Sequence, residues 1–289
     1  MARGGGWGSN KWQVTGDGKS HVTRHTLHSS RGFQITKTTL TASITQLPED
    51  DHWWFATRAW SLLNLLDRVV ARDHAEILDV GCGAGNMIHH LARYGRVRGI
   101  EVDARPVAQA IARGYDVRQG DATRGIDFPS ASFDLVTALD VIEHVDDDAA
   151  ILREAHRVLR ANGTLAITTP AFQALWSHND VLNGHKRRYA ARDLRARVER
   201  AGFRVRRLSY GFFLVFPLSA PLIVWRNLRG QKKNLESHHF VQDAYQVEME
   251  PVAPPVNKVL RAVGRVESAL LTRFDLPIGT SLICIAEKV

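Results

Sequence analysis

This sequence predicts a doubly wound α/β fold with a mainly parallel sheet, on three observations. From Glu76 onward, short apolar runs alternate with helical patterns, the rhythm of parallel strands covered on both faces. The first run ends in a glycine turn, Asp79-Val80-Gly81-Cys82-Gly83-Ala84-Gly85, with a helix expected after it. Acidic residues then recur where successive strands end.

Taken in order, the folded part begins near Leu47. His52-Trp53-Trp54-Phe55 opens a helix whose Leu62, Leu63, Leu65, Leu66 and Val69 share one buried face. Strands are expected at Ile77–Val80, Val97–Val102, Tyr115–Arg118, Phe133–Leu139 and Gly163–Thr169. Helices are expected from Asn86, over Pro106–Arg113 and over Ala149–Leu159, the last with Asp146–Asp148 as N-cap and first-turn charge. Ala191–Ala201 reads as a helix stopped by Gly202, and Phe203–Leu208 as a strand. Residues 210–230 are strongly apolar, and 231–255 are polar with Pro251, Pro254 and Pro255. Asn257–Phe274 is amphipathic through Leu260, Val263, Val266, Leu270 and Leu271, and Ser281–Ala286 closes the chain as a strand.

Residues 1–47 contrast with this pattern. Gly4, Gly5, Gly6 and Gly8, with many Ser, Thr and Lys, interrupt any apolar periodicity. They read as a disordered or loosely attached extension, with a short strand at Phe33–Thr38. The domain is expected over 48–289: a ligand-binding core at 76–170, a pocket-covering loop at 171–190 and an apolar, helical insertion at 210–279.

Composition narrows the class. Of the 289 residues, 44% are hydrophobic and 24% charged, as in ordinary globular proteins. Cys82 and Cys284 form no CxxC pair, so two reduced, buried thiols in a cytoplasmic protein are expected. No apolar run reaches the roughly 18–20 residues of a spanning helix, and the N-terminus lacks a secretory pattern. The net charge of +8 favours an anionic partner: nucleic acid, membrane surface or phosphorylated substrate.

The chemistry starts at the glycine turn. Glycines let the backbone approach a ligand, and a following helix offers free N–H groups. A dinucleotide site calls for GxGxxG to seat a pyrophosphate. Here the pattern is GxGxG with Asp79 two positions before Gly81, which suits a cofactor with an ammonium at its amino-acid end and no phosphate. Glu101, about 20 residues past the first glycine, stands where a carboxylate accepts from both ribose hydroxyls. Asp121, after the third strand, is placed to accept an adenine amino group. Leu139-Asp140-Val141-Ile142-Glu143-His144 ends the fourth strand.

Residues 76–170 resemble the class I S-adenosylmethionine (SAM)-dependent methyltransferase superfamily, nearest to small-molecule methyltransferases of the ubiquinone and menaquinone pathways. The resemblance implies a seven-stranded Rossmann-like sheet. Gly81, Gly83 and Gly85 would line the methionine part of SAM, Glu101 would hold the ribose and Val102 would pack on adenine. Asp121, with Ala122 beside it, would bind the adenine amino group, and Leu139 would lie beside the reaction centre. Trp53-Trp54-Phe55 and Arg58 resemble the helix ahead of the glycine loop in ubiquinone O-methyltransferases, where an arginine reaches the methionyl carboxylate; Arg58 is the candidate. In those enzymes an acid followed by Glu-His is associated with a divalent metal. The corresponding residues are Asp140, Glu143 and His144, with Asp in place of the family's Glu at 140. The reading favoured is no metal: the acids cap the next helix and His144 lines the pocket.

Two further segments concern the acceptor. Trp176-Ser177-His178-Asn179-Asp180 and Gly184-His185-Lys186-Arg187-Arg188-Tyr189 resemble a signature of bacterial methyltransferases of unassigned substrate. His144 and His185 are the candidate bases, and His178, Asp180, Arg187, Arg188 and Tyr189 the candidate acceptor contacts. The apolar stretch 210–230 and its basic flanks read as an interfacial patch for anionic lipid, a lid, or a core or subunit contact. The expected activity is methyl transfer, O-methylation favoured, to a small, lipid-like or anionic acceptor. Two rivals are an RNA methyltransferase and a catalytically lapsed SAM-binding scaffold at the membrane. The first is disfavoured because strand four ends without an Asn/Asp-Pro-Pro-aromatic turn and no nucleic-acid module is visible. Oligomeric state is not legible.

Overall fold

A computed structural model describes residues 49–71, 74–229 and 252–289. The extension 1–47, the strand expected at Phe33–Thr38 and most of 231–255 lie outside the described residues. Seven strands form one sheet in the order β3-β2-β1-β4-β5-β7-β6. They are β1 (Ala75–Val80), β2 (Gly95–Glu101), β3 (Val117–Gln119), β4 (Phe133–Leu139), β5 (Leu159–Pro170), β6 (Phe203–Gly211) and β7 (Ser281–Lys288). β1 to β5 pair in parallel, and β7 runs antiparallel between β5 and β6. The predicted doubly wound, mainly parallel seven-stranded sheet is therefore present.

The apolar strands are sandwiched, with successive residues alternating between the two faces. On one face Leu78, Val80, Val136 and Ile167 pack with Ile151, Leu152 and Ala155 of α4 (Asp148–Val158) and with Leu194 and Val198 of α6 (Ala191–Arg200). On the other, Ile77, Leu135, Ala166, Ile283 and Ile285 pack with Leu62 and Leu66 of α1 (Trp53–Leu66), Val107 of α3 (Ala104–Ala112) and Leu271 of α8 (Pro254–Leu271).

The strand order reverses at β1, which pairs with β2 on one side and β4 on the other. Ligands in such sheets bind outside the carboxyl ends of the strands at that point, so residues following β1, β2 and β4 meet there.

Several boundaries differ from the sequence expectation. The helix expected from Asn86 is one turn, α2 (Ile88–Leu91), because Asn86 and Met87 continue the glycine turn. β3 starts two residues later than Tyr115; that ring packs against Gly85, where an added Cβ would lie 2.4 Å from it. α8 begins at Pro254, not Asn257: prolines suit the first helical positions, where an N–H would be unpaired anyway. Asp147 is the N-cap of α4, accepting from the Ala150 N–H at 3.0 Å. The apolar stretch contains a helix, α7 (Phe216–Leu228), on which only Ala220 is buried. Ahead of it, Phe212 is buried and Phe213 packs against the core, so the segment joins the core at its start and exposes its helix. No helix among the described residues is long and apolar enough to cross a membrane.

α1 and α8 meet at Gly264, where a Cβ would fall 1.9 Å from Thr57 Oγ1 and 2.9 Å from its Cβ. Gly264→Leu should therefore cost about 2–3 kcal/mol by overpacking, read as a lower denaturation midpoint at unchanged m-value.

Candidate active site at the carboxyl ends of the strands

The glycine turn is shaped by close neighbours. Gly81 has φ +68°, and a Cβ there would lie 2.5 Å from Val141 Cγ2; only glycine brings the two strand ends this close. Glu101 at the end of β2 holds the turn: its Oε2 accepts from the Gly83 N–H at 3.0 Å and its Oε1 from the Asp103 N–H at 3.0 Å. Each oxygen keeps a second lone pair for a ligand. Val102 beside it is 62% exposed, an apolar side chain in the open next to a carboxylate. Leu139 and Ala122 are buried at the ends of the neighbouring segments. Asp121 Oδ1 already accepts from the Thr123 N–H and hydroxyl, at 2.9 and 2.6 Å.

Asp79 is buried, and parallel register sets Thr137 opposite it, so the Thr137 hydroxyl donates to Asp79 Oδ1 at 2.6 Å. Burial pushes the Asp79 carboxyl up to about 6 despite that hydrogen bond and nearby Arg58. Asp79 shares the sheet face of Ile77, the face covered by α1, which is how Arg58 comes near it. Arg58 pairs with Asp140, whose φ of +56° lies in the left-handed region, and its guanidinium sits 5.0 Å from the Trp54 ring centre. Asp140 Oδ1 accepts from Thr168 Oγ1 at 3.1 Å. Trp54 stacks on Phe212 at 5.7 Å, and buried Glu267 holds that segment by accepting from the Phe212 and Leu214 N–H groups.

The second cluster redraws the metal-ligand set read from the sequence. Asp140 is taken by Arg58 and Thr168. Ligand atoms of Glu143, His144 and His185 lie within 4.8 Å of one another instead. Glu143 does not cap a helix: it is fully buried, its Oε2 accepts from Thr169 Oγ1 at 3.0 Å, and its Oε1 has no hydrogen-bond partner. Burial, then Asp140, raises its pKa well above the ordinary value. The His144 and His185 rings meet edge to face at 4.7 Å. Burial, then His185, lowers the His144 pKa, which keeps that imidazole neutral and able to accept a proton.

Four of the expected acceptor contacts have another task. Asp180 is buried: it holds His185 Nδ1 at 2.8 Å and accepts from Arg188 Nε and Nη2 at 2.7 and 2.9 Å. Burial alone would raise the Asp180 pKa, yet these partners hold it far below the carboxylate range. Tyr189 is buried and donates to Asp148 at 2.7 Å. Arg187 donates to the Val145 and Asp146 carbonyls. Arg188, Asp180, Tyr189 and Arg187 thus build the wall that carries His185, because buried charges must be paired. His178 opens α5 (His178–Leu182) and is half-buried. Sequence reasoning missed Thr137, Thr168, Thr169, Asp148 as an ion-pair hub, Phe212 and Glu267; only strand register or long-range packing brings these to their partners.

One surface cavity lies away from this region. It is lined by Leu65, Arg68, Asn162, Arg206 and Glu287 at the opposite end of the sheet. Asp180→Ala should cost about 3–5 kcal/mol, since it leaves the Arg188 charge unpaired. Thermal and denaturant melts measure this.

Comparison with known proteins bears on this geometry. The methyltransferase domain family matches residues 78–167. A Mycolicibacterium smegmatis protein described as a probable S-adenosylmethionine-dependent methyltransferase is 34% identical over 163 residues, covering 54% of this chain and 61% of that protein. Ubiquinone biosynthesis O-methyltransferase of Pseudomonas aeruginosa is 31% identical over 114 residues, covering 37% of this chain and 49% of that protein. The chain thus spans less than two thirds of the length of these relatives. The crystal structure of the [4+2]-cyclase SpnF superposes with a TM-score of 0.52 at 20% identity, covering 81% of this chain and 82% of that one, which speaks to the fold alone. Residues 78–167 thus match the methyltransferase domain family, and the chain is similar over that region to probable S-adenosylmethionine-dependent methyltransferases.

Proposed function

We propose that this protein is a SAM-dependent methyltransferase that methylates a small acceptor, with oxygen as the favoured nucleophile. The observation that carries this is the meeting of the Gly81–Gly85 turn, Glu101 and Asp79 at the reversal point of the sheet, with two histidines nearby. SAM supplies a methyl group activated on a sulfonium. Glu101 accepts from the ribose hydroxyls while keeping the glycine turn in place. Asp79 faces the cofactor's ammonium, Arg58 its carboxylate, and Val102 and Asp121 its adenine. Positioning of this kind can remove up to about 7–11 kcal/mol of barrier.

His144 and His185 take the acceptor's proton. Asp180 fixes the His185 ring through Nδ1, leaving Nε2 for that role, and such a base is typically worth about 100- to 10,000-fold. His178, at the start of α5, is the remaining acceptor contact. No metal is required for this chemistry.

The partners proposed are the acceptor and, peripherally, an anionic membrane, in a cytoplasmic protein. Leu214, Leu218, Leu222, Trp225 and Leu228 follow helical spacing along α7 and the residues leading into it, and all are exposed. No acidic residue occurs between Glu199 and Glu236, and Arg226 and Arg229 at the end of α7 would attract anionic headgroups, each worth about 1 kcal/mol near the surface. Asn227 Nδ2 donates to the Trp176 carbonyl at 2.6 Å, tying this helix to the loop beside the site. That link supports the reading of a lipid-like acceptor.

Cofactor affinity should rise about tenfold per pH unit up to about pH 6 and level off above it. The Asp79 pKa stands above its ordinary value, so the carboxyl is neutral below that pH and cannot hold the ammonium. Calorimetry with SAM from pH 5 to 7.5 measures this, and Asp79→Asn should flatten the profile. NAD(H) binding without SAM binding would refute the assignment.

The function itself is tested with methyl-labelled SAM and fractionated bacterial metabolites and lipids, followed by mass spectrometry. In parallel, sedimentation with anionic vesicles should fall with salt, as the Debye length shrinks from about 10 Å at 0.1 M to about 3 Å at 1 M. Leu218→Asp with Leu222→Asp should abolish sedimentation without changing the melting temperature. No label transfer to any fraction would favour the lapsed scaffold, and transfer to RNA the nucleic-acid reading.

A further inference from the structure

Away from the site, Asp50, His89 and His90 converge on the surface. Asp50 lies in the short turn Glu49–Asp51 ahead of α1, and the histidines are consecutive residues of α2. Consecutive helical residues point about 100° apart and do not normally face each other. Here both rings turn to one place, with centroids 3.9 Å apart. Their Nε2 atoms lie 2.9 and 2.7 Å from the two oxygens of Asp50. One ligand atom from each residue falls within 4.8 Å of the others.

The chemistry of this set is selective. Two imidazole nitrogens and one carboxylate suit Zn²⁺ and its borderline neighbours, whereas Mg²⁺ and Ca²⁺ take oxygen ligands. The side chains are 42%, 21% and 59% exposed for His89, His90 and Asp50, so an ion can enter and water can fill its remaining positions. Metal–ligand bonds of about 2.0–2.2 Å set tetrahedral ligands about 3.3 Å apart. Small rotations of these open side chains reach that separation.

We propose that Asp50, His89 and His90 form a binding site for a divalent ion of the Zn²⁺ class. Each neutral ring keeps its proton on Nδ1 and presents Nε2 to the ion. The ion joins the turn that leads into α1, the helix of Arg58, to the helix that follows the glycine turn. It therefore clamps two segments flanking the cofactor region, and it does not depend on the methyltransferase assignment.

The test titrates Zn²⁺ into metal-stripped full-length protein against a chromophoric chelator, with Co²⁺ absorption as a second readout. Wild type should bind one ion with a Kd of about 1 μM or tighter. Asp50→Asn combined with His90→Ala should weaken it roughly 30-fold or more. His90→Gln, which retains a donor toward Asp50 but no imidazole, should do nearly the same. The metal-free variants should melt close to wild type, because Asp50 is exposed and His90 only half-buried. His185→Ala should keep the tight ion. The proposal is overturned if wild type binds no ion tightly, or if the ion persists in both surface variants. Persistence there would place it elsewhere, as at Glu143, His144 and His185.

Discussion

Burial of carboxylates where the strand order reverses is the constraint on which the site depends. Asp79 and Glu143 are buried near the ends of β1 and β4, with half-buried Asp140 between them, where the sheet leaves little water to solvate them. Such groups persist only if paired, hydrogen-bonded or protonated. The structure meets the need with threonines on neighbouring strands, Thr137, Thr168 and Thr169, and with Arg58 from α1. The Arg58–Asp140 pair thereby fixes a helix outside the sheet to the end of its central strands. Trp54 and Phe212 shield that pair on one side, and Glu267 ties down the Phe212 segment from α8. A site made largely of strand ends thus depends on α1 and α8.

A comparable logic builds the other wall. Asp180 binds Ser177, His185 and Arg188 at once, and Asp148 binds Tyr189, Arg187 and Arg197. The basic run Lys186-Arg187-Arg188 is therefore mostly spent inside the protein. What remains available for chemistry is the His144–His185 pair and the buried, unpartnered oxygen of Glu143. Fold likeness does not decide what that pair does, since a cyclase shares the architecture.

How much was legible in the sequence follows from which interactions are local. Strand and helix identity in 75–170 rests on apolar periodicity and turn residues a few positions apart, so the sheet, the glycine turn and the positions of Asp79, Glu101 and Leu139 could be read directly. Boundaries slipped where a neighbour overrode local pattern: Tyr115 left its strand to pack on Gly85, and the helix after the glycine turn shrank to one turn.

The sequence by itself determined the fold class, the glycine-turn motif and the presence of an apolar segment near the C-terminus. Tertiary structure decided which polar residues face a ligand and which hold the protein together. Asp180, Arg188 and Tyr189 looked like acceptor contacts because charge and polarity in a loop suggest binding, yet Asp180 and Arg188 pair with each other and Tyr189 with Asp148. The convergence of Asp50 with His89 and His90, and that of Glu143 with His185, joins residues about 40 positions apart. Electrostatics and burial act through space, and no local pattern in the chain records those distances.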